Sequence, residues 1–275
     1  MYLRSFSQVM FQNSPISGLF FFLGVLINSI SMAISMFVAV FFANYFAQKL
    51  NYSSEDIENG LYGFNASLVG IAFILFFKLT LWSIVLLIFA SFLSVIIFEY
   101  MKKNIKSFKA FTFPFILTVW VFLFFQGFLG LESASENIET STFSYSFFDA
   151  IFTNFAQVFF QDYYLSGILF AIGIFFSSKR DFFYTLYASL LAIFIAEIFG
   201  FLDNEISLGL YGYNAVLVAL ALINNVNNKK SFLTISFAII CSVFVVKLFF
   251  IFNLIALTFP FVLVSWIFLY KTSQD

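Results

Sequence analysis

Apolar stretches long enough to cross a bilayer follow one another along this 275-residue chain. About 20 residues of helix span the hydrocarbon core, and a spanning segment must satisfy its backbone hydrogen bonds internally. The stretches lack the short alternation of an outer-membrane barrel. With 62% hydrophobic and only 10% charged residues, the chain also has too little polar surface to coat a soluble globule. The sequence therefore predicts an all-α integral membrane protein.

The charged and reactive residues argue against several classes of function. A net charge of −1 without a long basic run gives no footprint for nucleic acid. Histidine is absent and Cys241 is the single cysteine, so an enzyme would lack the usual proton relay and metal ligands. The same lack of histidine disfavours an ammonia channel, and water-channel motifs of the Asn-Pro-Ala kind are missing. We expect no enzyme, no cofactor and no bound metal.

Three motifs occur twice along the chain, in the same order. The clearest pair is GLYGFNASLVG at 60–70 and GLYGYNAVLVA at 209–219, which match at eight of eleven positions. A repeated order at a nearly constant offset indicates two homologous halves. The other two pairs are 8–24 with 157–173, and 111–117 with 257–263.

Each half is predicted to cross the membrane about five times, giving about ten transmembrane helices. Several segments are short for a full span, which suggests re-entrant helices buried in protein or lining a central pore. We assign 1–130 to the first half, 131–147 to an external acidic linker and 148–275 to the second half. The predicted segments are 16–30, 32–49, 60–77, 79–101 and 110–130, then 165–178, 182–200, 209–225, 231–250 and 255–270.

An odd number of crossings per half would invert the second half relative to the first. Cytoplasmic loops are rich in Lys and Arg, so the basic residues test this orientation. Residues 102–109 carry four lysines, whereas the corresponding stretch of the second half carries none. The bias is reversed at two later loops, which carry Lys179 with Arg180 and Lys229 with Lys230. The pattern predicts inverted repeats with both termini in the cytoplasm.

The repeated polar residues are the candidates for lining a transport pathway. Inverted-repeat transporters place their site near the bilayer midplane and build it from broken helices of both halves. None of these side chains is charged, which favours a neutral polar solute over an ion. Helix packing remains the alternative for the repeated glycines, and a structural hydrogen bond for the asparagines. The residues are Gln8 and Gln157, Asn65 and Asn214, and Thr112 and Thr258.

Two spacings add detail to these candidates. Each glutamine lies three residues before a phenylalanine, Phe11 or Phe160, which in a helix places both on one face. The amide could then bind the edge of a small planar molecule whose face the ring covers. Pro114 and Pro260 each follow a threonine by two residues, and the missing N–H predicts a freed carbonyl upstream. The alternative is that the threonine hydroxyl bonds back to its own helix.

The doubled motifs resemble those of the urea transporter family over nearly the whole chain. The resemblance implies a homotrimer whose subunits each have a pore between two inverted five-helix halves. Urea would cross passively, with its plane in an apolar slot and its N–H groups on a ladder of oxygen acceptors. Family members also carry Glu at one of the two glutamine positions, and Ala219 stands where the first copy has Gly70. By resemblance, the filter residues are Gln8, Phe11, Leu68 and Thr112, then Gln157, Phe160, Leu217 and Thr258.

Two charged residues interrupt apolar segments and leave an alternative function open. Glu197 and Lys247 would each cost about 2.5–3.5 kcal/mol if unpaired at the bilayer centre. An ion-coupled transporter of urea or short amides could use Glu197 as its ion site. Neither residue has a like-charged counterpart at an offset of 149, which favours an interfacial position or a structural partner. We therefore expect passive urea transport across a bacterial inner membrane, and urea and short amides as substrates.

Overall fold

The computed structural model describes residues 1–134, 146–223 and 231–272. The chain divides into two compact units, Met1–Thr142 and Phe143–Asp275. Within the described residues all regular secondary structure is helical, apart from one isolated antiparallel bridge between Phe77 and Ser133. The predicted all-α fold is thus confirmed. Most of the acidic linker, and both lysines of the 229–230 pair, lie outside the described residues.

The described part of the first unit contains seven helices. Three of the long ones begin at a hydroxyl side chain, of Ser14, Ser29 or Thr80, that accepts a hydrogen bond from a first-turn backbone N–H. Such caps satisfy donors that a helix leaves unpaired at its start. The helices are α1 (Tyr2–Gln8), α2 (Pro15–Asn28), α3 (Ile30–Lys49), α4 (Ser54–Glu58), α5 (Phe64–Phe76), α6 (Leu81–Asn104) and α7 (Phe113–Phe124).

The second unit repeats this series of elements. A short 3₁₀ turn, Gln157–Phe159, follows its first helix. The third helix begins at Lys179, 149 residues after Ile30, so the sequence repeat is also a repeat of local structure. The helices are α8 (Phe147–Ala156), α9 (Tyr164–Ser177), α10 (Lys179–Ile198), α11 (Asp203–Ser207), α12 (Gly212–Ile223), α13 (Ser231–Ile251) and α14 (Phe259–Thr272).

Four helices of the described chain, α3, α6, α10 and α13, are long and apolar enough to cross a membrane. A bent pair, formed by Phe147–Phe159 and Tyr164–Ser177 with an angle of 78°, is a candidate broken span. The remaining apolar helices α2, α5, α7, α12 and α14 are shorter, as the sequence predicts for several segments. The chain is therefore a multi-pass membrane protein with both full-length and short apolar helices.

Each unit begins with a helix that the sequence analysis did not predict. α1 packs against α2, and a Cβ added at Gly18 would lie 1.8 Å from the carbonyl oxygen of Leu3. α8 packs against α9 in the same way, with Gly167 against the carbonyl of Phe152. α1 has only seven residues, and so short a helix is stable through packing rather than through its own propensity.

α5 and α12 lie at the centre of their units. Residues 64–73 are all buried, and so is every residue of α12. α5 packs against α3, α6 and α7, and α12 packs against α10, α13 and α14. A helix that is apolar all round is suited to burial on all sides. These helices carry Asn65, Leu68, Asn214 and Leu217, so four candidate residues lie inside protein.

Candidate functional site

The repeated asparagines hold the start of the helix that follows each threonine. Asn65 donates its Nδ2 to the carbonyl of Phe111 at 3.2 Å and accepts the N–H of Phe115 at its Oδ1, at 3.1 Å. Thr112 lies between these two contacts and is fully buried. The amide therefore fixes the backbone on both sides of the threonine, which is the structural hydrogen bonding weighed above for these residues.

The second unit repeats this amide clamp with Asn214. Its Nδ2 donates to the carbonyl of Leu257 at 3.5 Å, and its Oδ1 accepts the N–H of Phe261 at 3.0 Å. The hydroxyl of Tyr213 donates to the same Leu257 carbonyl. Thr258 is also fully buried. Each threonine thus occupies a backbone segment held at both ends by one side-chain amide.

The two prolines start helices rather than interrupt them. Pro114 follows Phe113 in the first turn of α7, where a backbone N–H would have no helical partner. The carbonyl four residues before it, of Ala110, accepts the N–H of Phe113 at 3.0 Å. Before Pro260, the carbonyl of Ala256 is paired with Phe259 at 3.1 Å. The prediction that these prolines free an upstream carbonyl is therefore wrong.

The filter candidates of each unit form a half-site: Gln8, Phe11, Leu68 and Thr112 in the first, and Gln157, Phe160, Leu217 and Thr258 in the second. Within each half-site the glutamine and the phenylalanine do not share a helical face. α1 ends at Gln8, and Phe11 has φ +57°, in the left-handed region. Phe160 follows the 3₁₀ turn that begins at Gln157 and has φ +56°. The N–H of each phenylalanine donates to the carbonyl of its glutamine at 3.0 Å. The prediction of one shared face is wrong because the helix terminates between the two side chains.

The backbone around each phenylalanine forms the hydrogen-bonded end of a helix. The N–H of Gln12 donates to the carbonyl of Ser7, and that of Gln161 to the carbonyl of Ala156. These bonds, together with the N–H of the phenylalanine, form a Schellman motif, whose left-handed position glycine usually occupies. A bulky residue at positive φ is a genuine outlier. Phenylalanine is abundant in this chain, but this conformation distinguishes Phe11 and Phe160 from most of the others.

Each glutamine amide is anchored through its NH₂ group. Gln8 Nε2 donates to the carbonyl of Asn59 at 3.0 Å, and Gln157 Nε2 donates to the carbonyl of Leu208 at 3.2 Å. A carbonyl can only accept, so the contact identifies the amide end that faces it as the NH₂ group and leaves Oε1 as the acceptor at the other end. Both side chains are partly exposed, although Val9 next to Gln8 is fully buried. In each unit the contact thus fixes the orientation of the glutamine amide.

The repeated glycines bring the turn after α4 close to α1, and the turn after α11 close to α8. Gly60 has φ +79°, and a Cβ there would lie 2.4 Å from the backbone nitrogen of Ser5. Gly209 has φ +72° and would meet the carbonyl oxygen of Thr153 at 2.5 Å. Only glycine combines this conformation with so close an approach. The glycines thus serve packing, and the packing places the carbonyls of Asn59 and Leu208 beside the glutamines.

The remaining filter candidates are apolar and buried. Leu68 and Leu217 lie three residues, about one helical turn, after Asn65 and Asn214, and neither has an exposed surface. The ring of Phe11 contacts that of Phe111 edge to face, with centroids 5.7 Å apart. In each unit the glutamine is therefore bonded to the turn after the short helix, and the asparagine to the backbone on either side of the threonine. In the first unit Phe11 also contacts Phe111, the residue before Thr112.

Sequence reasoning missed the residues just before the threonines. Phe111 and Leu257 have φ +45° and +47°, so each is strained, and each supplies the carbonyl that the asparagine holds. They occupy matching positions of the repeated FTFPFIL and LTFPFVL motifs. Their matching positions in the aligned motifs could have indicated them. They were missed because the candidates were residues identical in both motifs, and here phenylalanine is matched by leucine.

The two charged residues that interrupt apolar segments differ in their surroundings, and a separate exposed ion pair lies in the first unit. Glu197 is exposed near the end of α10. Lys247 Nζ lies 3.7 Å from the Glu205 carboxylate. The exposed Lys78 donates to Glu132 at 2.9 Å, and this hydrogen bond raises the pKa of Lys78. Within the described residues, no group of three or more Cys, Asp or Glu side chains could hold a metal ion.

Comparisons of the sequence with known proteins all point to the same family. A sequence model of the family described as "Urea transporter" matches residues 1–273. Urea transporter 1 of Mus musculus is 26% identical over an alignment of 301 residues, which covers 99% of this chain and 77% of that protein. Urea transporter 1 of Rattus norvegicus is 26% identical over 241 residues, which covers 80% of this chain and 61% of that protein.

Proposed function

Because the chain belongs to the urea transporter family, we propose that it carries urea passively, in a channel-like manner, through a filter that contains the two half-sites. Family membership makes it a membrane transport protein and not an enzyme. In the filter, the oxygens of Gln8, Gln157, Thr112 and Thr258 accept the N–H groups of urea. The side chains of Phe11, Phe160, Leu68 and Leu217 line its flat faces.

The observation that carries this proposal is the anchored glutamine in each unit. Urea has four N–H donors and one carbonyl acceptor, and each group that loses water without a partner costs about 1–3 kcal/mol. Gln8 and Gln157 each present an Oε1 whose direction is fixed by a bond from the other end of the amide. An acceptor held in place before the solute arrives loses little entropy on binding.

The phenylalanines support the same proposal from the apolar side. Phe11 and Phe160 follow the anchored glutamines in a strained conformation, and both are partly exposed. Backbone strain of this kind is concentrated at sites where the surrounding structure serves a function. A flat ring beside an oriented acceptor suits a planar amide, and it offers no solvation to a hydrated cation.

Passive rather than ion-coupled transport follows from where the charges lie. The proposed filter side chains are all neutral. Lys247 has a carboxylate partner in Glu205, and Glu197 is exposed at a helix end. A neutral filter without a titrating group provides no coupling site for a proton or sodium ion.

Several finer features belong to the proposal. We propose that the two halves are inverted, that their half-sites act in series on one pathway, and that three such chains form a homotrimer. Both termini would then be cytoplasmic, in a bacterial inner membrane. Short amides that share the planar N–C=O group of urea are expected to be weaker substrates, because they offer fewer N–H donors.

The direct test is urea entry into proteoliposomes, followed by stopped-flow light scattering without an ion gradient or membrane potential. We expect urea entry well above that of empty vesicles, and no acceleration when a proton or sodium gradient is imposed. Entry equal to that of empty vesicles, with uptake appearing only under an ion gradient, would replace the passive function by the coupled one. Glycerol entry serves as the control for vesicle leakage.

A further inference from the structure

A polar cluster in the second unit ties the turn that anchors Gln157 to a long helix. The turn runs from α11 to α12 and contains Leu208, whose carbonyl accepts the Gln157 amide at 3.2 Å. The cluster consists of Glu205 on α11, Tyr211 at the end of the turn, and Lys247 on α13. None of these residues belongs to the proposed filter.

The three side chains of the cluster contact one another. Lys247 Nζ lies 3.7 Å from the carboxylate of Glu205 and donates to the Tyr211 hydroxyl at 3.2 Å. The Tyr211 hydroxyl in turn donates to the Glu205 carboxylate. The Tyr211 ring is buried, with the rings of Phe201 and Phe250 at centroid distances of 4.8 and 5.5 Å. Both ends of the turn are thereby connected to α13.

Glu205 also takes part in the turn through its backbone. Its carbonyl accepts the N–H of Leu210 at 3.1 Å, while Gly209 donates to Ile206 at 2.9 Å. This pair of bonds ends α11 and places Leu208 between them. A shift of Glu205 would therefore move the Leu208 carbonyl, and the Gln157 amide that depends on it.

The first unit makes the same connection with a matching tyrosine, Tyr62, and otherwise different side chains. Asp56, 149 residues before Glu205, forms an ion pair with Lys102 on α6. The Tyr62 hydroxyl donates to Glu99, also on α6, at 2.5 Å. The turn between these contacts contains Asn59, whose carbonyl holds Gln8. Because the partners differ while the connection recurs, the connection itself is the shared feature of the two units.

We propose that Lys247 and Glu205 are positioning residues for Gln157: they hold the α11–α12 turn so that the Leu208 carbonyl directs the Gln157 amide oxygen toward urea. The inference rests on the proposed urea filter and deepens it. It gives Lys247 a role in solute selection without contact with the solute. It also explains a charged residue in an apolar helix without ion coupling.

The test measures the permeability of proteoliposomes to urea and to N-methylurea for four test variants of the full chain and one control variant. Lys247→Met keeps an unbranched side chain as far as Cε and removes the charged amine, and Lys247→Arg keeps the charge. Gln157→Ala removes the proposed filter amide, and a double variant combines Gln157→Ala with Lys247→Met. Lys78→Met is the matched control, because it breaks an exposed ion pair of the first unit, Lys78 with Glu132.

We expect Lys247→Met to lower urea permeability by about three- to tenfold, in the range of coupling within one hydrogen-bonded network. The ratio of urea to N-methylurea permeability should fall as well, because a misdirected acceptor discriminates less between the two solutes. Lys247→Arg should restore both values, and Lys78→Met should leave both unchanged. In the Gln157→Ala background, Lys247→Met should change urea permeability by less than about twofold.

Two results would overturn the positioning role while leaving the filter assignment in place. One is a folded Lys247→Met protein with wild-type permeability and selectivity. The other is a Lys247→Met effect that is undiminished in the Gln157→Ala background, since that would mean an action independent of Gln157. Unchanged urea permeability in Gln157→Ala alone would instead remove the filter assignment, and the positioning role with it.

A second variant covers the case in which Lys247→Met does not fold. Tyr211→Phe keeps the ring between Phe201 and Phe250 and removes only the hydroxyl that contacts both Lys247 and Glu205. The inference predicts that Tyr211→Phe also lowers urea permeability and selectivity, but by less than Lys247→Met does. A Tyr211→Phe protein that matches wild type in both would overturn it.

Discussion

At the scale of single residues, the half-sites combine strain with anchored hydrogen bonds. A left-handed conformation at a residue other than glycine costs about 1–2 kcal/mol. Asparagine tolerates this conformation, and Asn51 and Asn253 adopt it. The other residues of the described chain that accept the cost are Phe11, Phe160, Phe111 and Leu257, all in the repeated motifs. Asn65 and Asn214 hold the last two through their carbonyls. The strain therefore lies where backbone and side chain together fix the direction of the filter groups.

Thr112→Val tests whether the threonine hydroxyl belongs to the filter. The substitution removes the hydroxyl with little change in shape, so the amide clamp around residue 112 should persist. Losing one acceptor for urea would cost about 1 kcal/mol, or about fivefold in permeability. Stopped-flow light scattering on proteoliposomes measures this, and thermal unfolding in detergent checks that the protein is folded.

Thr118→Val is the matched control for this substitution. Thr118 is also buried on α7, but its hydroxyl donates to the carbonyl of Pro114 at 2.7 Å within the helix. Its loss should leave urea permeability unchanged. Equal permeabilities for wild type, Thr112→Val and Thr118→Val would remove Thr112 from the filter.

At the scale of elements, the sequence predicts what depends on burial and misses what depends on helix ends. The long apolar helices α3, α6, α10 and α13 lie close to their predicted segments because length and hydropathy specify them. The spacing of Gln8 and Phe11 fits a continuing helix as well as a terminating one. Glycine at the left-handed position would have signalled the termination, but phenylalanine occupies it. α1 was missed because packing, not a long periodic pattern, supports it.

Gly209→Ala tests the turn that carries the Leu208 carbonyl. Alanine would add the cost of positive φ and a contact of 2.5 Å with the Thr153 carbonyl oxygen. Since α8 or the turn must then move, the Gln157 contact with Leu208 should be lost. We expect a lower melting temperature and a lower urea permeability, measured on the same purified protein.

Gly200→Ala separates strain from the steric clash. Gly200 has φ +65°, similar to Gly209, but no atom of the described residues lies within 4 Å of a Cβ built there. This variant should lose only about 1 kcal/mol of stability and keep wild-type permeability. If Gly209→Ala were no worse than Gly200→Ala in either measurement, the close approach would not be important for the site.

At the scale of the whole molecule, the same set of elements is used twice with different details. Each unit has a buried central helix, an amide clamp, an anchored glutamine and a left-handed phenylalanine. The units differ where Phe111 is matched by Leu257 and where Gly70 is matched by Ala219. The repeat was predictable from the sequence because three motifs recur in the same order, the clearest pair matching at eight of eleven positions. The orientation of one half relative to the other remains a prediction from charge and from the number of crossings.

Gln8→Ala and Gln157→Ala together test whether the two half-sites act in series on one pathway. For barriers in series the resistances, which are the reciprocals of the permeabilities, add together. Each single substitution should then raise the resistance to urea by its own increment, and the double variant should show the sum of the two increments. Two parallel pathways would behave differently, because the unaltered pathway would keep a large share of the flux in each single variant. Urea permeability of the four proteins, at equal protein density in the vesicles, decides between the two arrangements.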